Sequence, residues 1–246
     1  MIRALARVLE AGPTRLVLEV PGWPGHRPGQ FAMLGLGPGL LHRDPLLPRP
    51  MAVYRGDAAA LEFLFKVVGR GTRIMAELPK GAQVAVLGPL GNGFAPPEGP
   101  ATLVGGGSGI ASLYELAAAR PTGLRVLLGG RTRADILGLE DFEKLGVELR
   151  LATDDGSLGR RGLVTDLLEP RRGESVYACG PLGMMQRARE LASLARARCL
   201  VSLENNMACG FGVCLGCVVK TPEGFRYVCT HGPVFAAETL GWAARA

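Results

Sequence analysis

Four cysteines crowd the last quarter of the chain as Cys209, Cys214, Cys217 and Cys229, a C-x4-C-x2-C run with one further Cys downstream. No other feature restricts the fold of its segment so tightly, and the spacing is that of plant-type [2Fe-2S] ligation, a centre that carries electrons singly. The loop from Met207 to Cys217 sets Gly210, Gly212 and Gly216 among its thiols. Such a backbone folds tightly and turns amide N–H groups toward cluster sulfurs, where donors stabilise negative charge.

Other uses of four thiols fit less well. A structural zinc site pairs its ligands in short knuckles at both ends, and only one end here has that form. A Rieske centre needs two histidines, and only His231 lies near the cysteines. A disulfide framework belongs to an oxidising compartment, whereas Met1 to Arg7 lacks the continuous apolar core of a signal peptide; the expected location is cytoplasmic. Cys179 and Cys199 fall outside the run and are not expected to be ligands.

A chain of 246 residues with 48% hydrophobic content buries a substantial core and divides most simply into two or three modest domains. No stretch approaches the roughly 20 uninterrupted apolar residues of a membrane helix. The formal charge of +6 comes mainly from arginines scattered along the sequence with few aromatics between them, a poor basis for nucleic acid binding. Those arginines suit dinucleotide phosphates or an acidic partner surface.

Up to about Leu90, short apolar stretches alternate with Gly and Pro. Arg15 to Val20, Gln30 to Leu34, Leu61 to Val68 and Gln83 to Leu87 read as strands of a small antiparallel barrel, and Thr72 to Leu78 as a brief helix capped by Thr72 and stopped before Pro79. The Pro- and Gly-rich segment from Ala95 to Pro100 marks a boundary, after which strands alternate with helices. Strands are expected at Ala101 to Val104, Leu124 to Leu128, Val147 to Ala152 and Ser175 to Ala178. Helices are expected near Ile110 to Ala119, Leu163 to Leu168 and Leu182 to Ala197, giving an open parallel α/β sheet. The expected division is a barrel over 1–97, an α/β domain over 98–197 and a small cysteine domain over 198–246.

A strand that ends in glycines and feeds a helix presents free amides and a positive dipole end, which is what a pyrophosphate requires. Gly105 to Gly109 has this form but lacks the third glycine of the usual fingerprint, and a tight structural turn would read alike. The next strand ends in Gly129-Gly130-Arg131-Thr132-Arg133, without the acid that favours an unphosphorylated ribose. Arg131 and Arg133 suit a 2′-phosphate or plain solvation equally, so these residues leave NAD against NADP open. Cys179-Gly180-Pro181 follows a later strand at the sheet edge where ligands bind; its thiol either lines a nicotinamide pocket or is a small buried hydrophobe.

Several motifs together carry a resemblance. Arg49-Pro50-Met51-Ala52-Val53-Tyr54 and Val68-Gly69-Arg70-Gly71-Thr72 are similar to the two flavin motifs of the ferredoxin reductase superfamily. Gly88 to Phe94, Thr153 to Ser157, Cys179 to Pro181, Met207 to Gly210, and Cys229 with Gly232 to Phe235 resemble, in order and over nearly the whole chain, the electron transfer subunits of NAD-dependent (class 1B) dihydroorotate dehydrogenase. The resemblance implies an FAD barrel, a NAD domain and a [2Fe-2S] domain held by Cys209, Cys214, Cys217 and Cys229. It further implies a separate FMN-containing catalytic subunit as partner, in a heterotetramer of two copies of each chain. Electrons would run from dihydroorotate through that FMN, the cluster and FAD to NAD+, because a flavin joins two-electron to one-electron carriers.

Carried over by position, Arg49 contacts FAD phosphates, Pro50, Met51, Ala52 and Val53 lie along the isoalloxazine, and Gly71 and Thr72 meet the pyrophosphate; Lys66, Val67 and Val68 complete the flavin set. Gly106, Gly107, Ser108 and Gly109 with Cys179, Gly180 and Pro181 form the expected nicotinamide set. Ala52 stands where the family usually has Ser, which removes a hydroxyl expected near the reactive flavin nitrogen. Glu204-Asn205-Asn206 stands where it tends to have Glu-Glu-Arg, which changes the expected partner surface. No acid–base pair for oxidising a dihydropyrimidine is evident, so no catalytic residue is expected in this chain. Competing expectations are a flavin/iron–sulfur subunit of a ferredoxin:NAD(P) oxidoreductase or a sulfide dehydrogenase, a redox-sensing binding protein, and a zinc-stabilised interaction module.

Overall fold

The computed structural model describes residues 1–36, 45–57, 59–119 and 123–242. Seven strands build the first sheet: β1 (Ile2–Ala11), β2 (Arg15–Glu19), β3 (Phe31–Gly35), β4 (Arg49–Ala52), β5 (Arg55–Gly56), β6 (Leu61–Leu64) and β7 (Gln83–Leu90). Their order is β4-β3-β7-β1-β2-β6-β5, antiparallel throughout. The two outermost strands are neighbours in sequence, separated only by Val53 and Tyr54. The chain therefore crosses from one edge of the sheet to the other and curls it into a barrel. At the crossing the Val53 amide donates to Gln30 on one side, at 3.0 Å, and the Tyr54 amide to Glu62 on the other, at 2.9 Å. Alternation fills the interior: Leu16 and Leu18, Val84 and Val86, and Ala6 and Val8 point inward with Phe63, Phe65 and Met75.

Helix α1 spans Arg70–Ala76, two residues earlier than the sequence suggests. Thr72 is not its cap but sits inside the first turn, where its hydroxyl accepts from the amides of Val68 (3.0 Å) and Gly69 (3.2 Å). It reaches back to the backbone as the third residue of a capping box does.

The second sheet contains β8 (Ala101–Gly106), β9 (Leu124–Gly130), β10 (Glu148–Thr153), β11 (Arg160–Arg161), β12 (Ser175–Cys179) and β13 (Arg198–Ser202). A small hairpin follows, β14 (Val218–Thr221) with β15 (Gly224–Tyr227), and then β16 (Val234–Ala236) returns to the sheet. The order is β11-β10-β9-β8-β12-β13-β16, parallel except for the last pair. Helices α2 (Tyr114–Ala119), α3 (Leu139–Glu143) and α4 (Leu182–Leu194) flank it. The segment expected as a helix near Ile110 begins as a 3-10 turn, Gly107–Leu113, before α2, and the one expected at Leu163 to Leu168 is only a 3-10 turn, Val164–Leu167. Val104, Leu127 and Val176 face one side of the sheet and Leu103, Val126 and Leu128 the other.

The parallel sheet continues beyond residue 197. Strands β13 and β16 lie side by side at its edge, and residues 203–233, with all four clustered cysteines, leave from one and return through the other. The cysteine unit is thus an insertion at the edge of the sheet.

Barrel and sheet meet at a ring of charges. Arg15 lies 2.8 Å from Glu62 and 2.7 Å from Asp141, and Arg55 lies 2.6 Å from Glu62 and 3.3 Å from Asp141. Three members come from barrel strands and Asp141 from α3. The buried Tyr54 hydroxyl donates to Asp141 at 3.0 Å. Burial alone would lift the Asp141 carboxyl, but hydrogen bonds from Arg15 and Tyr54 and the charges of both arginines outweigh it and hold the group below the usual carboxylate range. Glu174 behaves likewise: burial opposes its charge, and Arg125 at 2.7 Å with the Thr102 hydroxyl overcomes it.

Removing one partner of such a ring strands the others, so Asp141→Ala should lower the unfolding free energy by about 3 kcal/mol in urea titrations. Depressed native carboxyl pKa values contribute stability that is complete above the unfolded value, about 4, and lost as pH falls through the folded one. The urea midpoint of the unaltered protein should therefore fall steeply below about pH 4, and less steeply for Asp141→Ala.

Candidate cofactor sites

The second strand order reverses between β8 and β12, and the loops after both strands meet there, at the carboxyl edge where open α/β sheets bind ligands. Gly106, Gly107, Ser108 and Gly109 come together with Cys179, Gly180 and Pro181. The approach is so close that a Cβ on Gly109 would lie 2.5 Å from the Gly180 amide nitrogen, and one on Gly106 would lie 2.9 Å from the Pro181 ring. Cys179 itself is wholly buried. Burial pushes its thiol up to about 12, with the Glu204 carboxylate adding to the shift and hydrogen bonds to Ser112 and Ser202 opposing it.

Ser108 faces Glu204, from the tripeptide that the sequence linked to the partner surface: its hydroxyl lies 3.2 Å from that carboxylate, just past β13. Glu204 is exposed, yet the surrounding protein raises the pKa of its carboxyl by desolvation, with the Ser108 hydrogen bond opposing the shift. Nothing local to Glu204 signals this contact, because the two residues stand 96 positions apart.

On the barrel, Pro50, Met51 and Ala52 lie in edge strand β4, paired with Met33, Ala32 and Phe31, and Val53 is buried at the crossing. Arg49, at the head of that strand, lays its guanidinium over Gly71 in the first turn of α1. A Cβ on Gly71 would come within 2.6 Å of the Arg49 Cζ. A positive fork beside a helix start is suited to phosphate oxygens. Val67 and Val68 leave apolar side chains exposed beside it, Val68 at 83%. Lys66 turns across to the sheet and pairs with Asp135, which holds that carboxyl below its usual range. Asp135 also accepts from the Thr132 amide at 3.0 Å. The Thr132-x-x-Asp135 spacing of a capping box was the available sequence signal for that role.

An open recess of about 620 Å³ at the ends of β9 and β10 is lined by Arg131, Thr132, Asp135, Asp154 and Asp155. The acid absent from the end of β9 in sequence is thus supplied in space by the following turn and the neighbouring strand. Asp155 is fixed by the Ser157 amide (2.9 Å) and hydroxyl (2.7 Å), while the Arg133 amide donates to Ser157 at 2.8 Å.

The clustered cysteines lie in two pairs. The Cys214 amide donates to the Cys209 sulfur at 3.4 Å, and the sulfurs of Cys217 and Cys229 are 3.2 Å apart. Burial works to raise the Cys209 thiol, but hydrogen bonds from Cys214, Phe211 and Val213 prevail and bring it down to about 6, favouring the thiolate that metals bind. Among the described residues, no three His, Cys, Asp or Glu side chains converge on a single metal position. Two pairs match a two-iron centre, which takes two thiols at each iron, better than one zinc surrounded by four. Cys217 and Cys229 are buried in one core with Phe31, Met33 and Leu90 of the barrel, while Cys214 is exposed beside Val213 and Leu215.

The family model for the iron-sulfur cluster binding domain of dihydroorotate dehydrogenase B matches residues 204–241, which contain all four of these cysteines. The chain is 37% identical over 226 residues to the electron transfer subunit of dihydroorotate dehydrogenase B (NAD(+)) of Clostridium acetobutylicum, covering 91% of this chain and 89% of that relative. It is 40% identical over 228 residues to the same subunit of Caldanaerobacter subterraneus, covering 89% of each. Among solved structures, an NADH-dependent reduced ferredoxin-NADP oxidoreductase superposes with a TM-score of 0.82 and 27% identity, over 98% of this chain and 90% of that one.

The crevice yields a direct test of its packing. Gly109→Ala drives a methyl into the Cys179–Gly180 backbone and should destabilise the protein by about 2–3 kcal/mol in thermal or urea unfolding. Gly183→Ala, in α4 with nothing within 4 Å of the added carbon, should be neutral or stabilising by up to about 1 kcal/mol.

Proposed function

We propose the following assignment of cofactors and partner for this chain, which belongs to the family of electron transfer subunits of NAD-dependent dihydroorotate dehydrogenase B. As a member of that family it is an oxidoreductase subunit that passes electrons to NAD+. Cys209 with Cys214 and Cys217 with Cys229 hold the two irons of a [2Fe-2S] centre. Arg49, Gly71 and Thr72 hold the FAD phosphates, and Pro50, Met51, Ala52 and Val53 lie beside the flavin with Lys66, Val67 and Val68. Gly106 to Gly109 and Cys179 to Pro181 receive the nicotinamide half of NAD. The segments 1–97, 98–197 and 198–246 act as flavin, nicotinamide and cluster domains, the last lending two strands to the middle sheet.

The observation that carries the reading is the placement of the cysteine pairs, at the same sheet edge as the glycine loop and packed on the barrel strand that pairs with Arg49 to Ala52. The flavin supplies the exchange between a hydride and single electrons, and the cluster carries those electrons singly. The residues of this chain hold the two groups side by side, and the crevice keeps the pyridine nucleotide at the flavin.

Dihydroorotate itself is oxidised on an FMN-containing catalytic subunit, two copies of which join two of this chain. The exposed Phe211, Val213 and Leu215 around Cys214 support contact with another protein at the cluster. Asp135, Asp154 and Asp155 oppose a 2′-phosphate and so favour NAD over NADP. Location in the cytoplasm follows from thiol chemistry, since an oxidising compartment would join Cys217 to Cys229 at their 3.2 Å separation.

Anaerobically purified protein should contain FAD with iron and acid-labile sulfide in equal amounts. Cys217→Ser should abolish the cluster absorbance while FAD and NADH-driven dye reduction persist; retention of the cluster would refute the ligand assignment. Gly71→Ala, which evicts Arg49 from its place, should weaken FAD binding about tenfold, measured by flavin release on dilution. Mixed with the catalytic subunit, the chain should support dihydroorotate-dependent NAD+ reduction that neither chain performs alone, with NADP+ at least about tenfold poorer.

A further inference from the structure

The motif Gly88 to Phe94 belongs to none of these cofactor sets, yet its Asn92 makes an unusual set of bonds. The Asn92 amide donates to the Gly232 carbonyl at 2.8 Å. Its side-chain nitrogen donates to the carbonyls of His231 (3.1 Å) and Val234 (2.8 Å), and its side-chain oxygen accepts from the Val234 amide at 3.0 Å. One residue just past the last barrel strand thus binds the segment between Cys229 and β16 as a neighbouring strand would. The Leu203 amide, on the way into the cysteine unit, donates to Pro233 in that same segment at 2.9 Å. Opposite it, Gly210, next to Cys209, lies on Met33 and Leu90 of the barrel, where a Cβ would meet the Met33 sulfur at 2.8 Å.

We propose that Asn92 is the positioning residue that sets the distance and angle between the cysteine centre and the flavin face of the barrel. The cysteine unit is covalently tied only to the sheet, through β13 and β16, and only non-covalent contacts hold it to the barrel. Gly210 holds the Cys209 side by packing, which tolerates sliding. Asn92 holds the Cys229 side by directional bonds, which do not. Single-electron exchange depends on orbital overlap that decays steeply with separation, so a small loosening of residues 231–234 slows that step without touching the flavin or nicotinamide contacts. The inference rests on the flavin and cluster assignments made above.

The test compares anaerobic, fully loaded wild type with Asn92→Ala and Asn92→Asp. Stopped-flow absorbance after mixing with NADH separates bleaching of the flavin from bleaching of the cluster. Amide hydrogen exchange reports residues 231–234 directly, with or without cofactors. Asn92→Ala should leave the rate of flavin reduction within about twofold, slow cluster reduction by about tenfold or more, and speed exchange at Val234. Asn92→Asp keeps the acceptor for the Val234 amide but sets a carboxylate oxygen against the His231 and Val234 carbonyls, and should slow cluster reduction at least as much as Asn92→Ala. Unchanged cluster reduction in Asn92→Ala would overturn the proposal, as would equal slowing of flavin and cluster reduction. If Asn92→Ala does not load its cofactors, Asn92→Asp decides by the same criteria. Wild type lacking flavin or sulfide would instead sink the cofactor assignments, an outcome visible before any variant is compared.

Discussion

The ring of Arg15, Glu62, Arg55 and Asp141 fixes how the barrel and the parallel sheet face one another. The barrel interior packs as its own apolar core, and two further cores join barrel residues to the two faces of the sheet. Apolar contact between two such bodies tolerates rotation, whereas two guanidinium forks shared between two carboxylates permit one arrangement. Tyr54 joins this ring to the barrel closure itself, since its backbone completes the crossing from β4 to β5 while its hydroxyl reaches Asp141. A second tie lies nearby. Trp23 donates to Nδ1 of His26 at 3.2 Å, which leaves the ring proton on Nε2 facing Glu115 of α2 at 2.9 Å. The strand that carries Arg49 to Ala52 is therefore held against the sheet whose loops are proposed to receive the nucleotide.

Topology gathers the remaining parts. Parallel strands all end at one edge, so the loops after β8, β9, β10, β12 and β13 open on the same side of the molecule. The first and fourth of these make the glycine-lined crevice proposed for the nicotinamide, the second and third the acidic recess, and the fifth leads into the cysteine unit. Because that unit departs from β13 and returns in β16, its thiols stand beside the crevice without any long linker. The buried pair, Cys217 and Cys229, shares a core with both sheet and barrel, and the exposed Cys214 faces outward. A cysteine unit with one side buried against the barrel and the other exposed suits a subunit whose task is to relay electrons.

The parts of this arrangement that could be read from sequence are those encoded over a few residues: the cysteine spacing, the glycine loop after an apolar strand, the Arg49 motif and the alternation of the barrel strands. Local pattern fails where a contact joins distant segments. Ser108 with Glu204, Lys66 with Asp135 and Asn92 with residues 231–234 have no short-range signature, although each joins two of the units. The edge strands β13 and β16 were hidden for a related reason: their residues flank the cysteines, and the pairing that makes them strands spans the whole insertion. Thr72 shows a subtler ambiguity. A threonine near a helix start serves equally as cap or as third residue, and only the backbone, turning at Gly69, separates the two.

The charge balance acquires a different meaning once the arginines are placed. Arg15 and Arg55 each bridge two carboxylates, Arg125 locks the buried Glu174, and Arg7 pairs with Glu19 on the barrel surface. The planar fork explains the preference for arginine over lysine, because a single ammonium cannot present parallel N–H groups to two acceptors at once. Glu174 is held differently: one Arg125 nitrogen lies 2.7 and 2.9 Å from its two oxygens and the Arg171 amide donates at 2.8 Å, at the end of the sheet opposite the crevice. Arginine at that amino edge secures the sheet, whereas Arg131 at its carboxyl edge and Arg49 on the barrel stand beside the proposed cofactor sites. A net charge of +6 thus combines structural cations with cations suited to nucleotides, and the side of the fold on which each one lies distinguishes them.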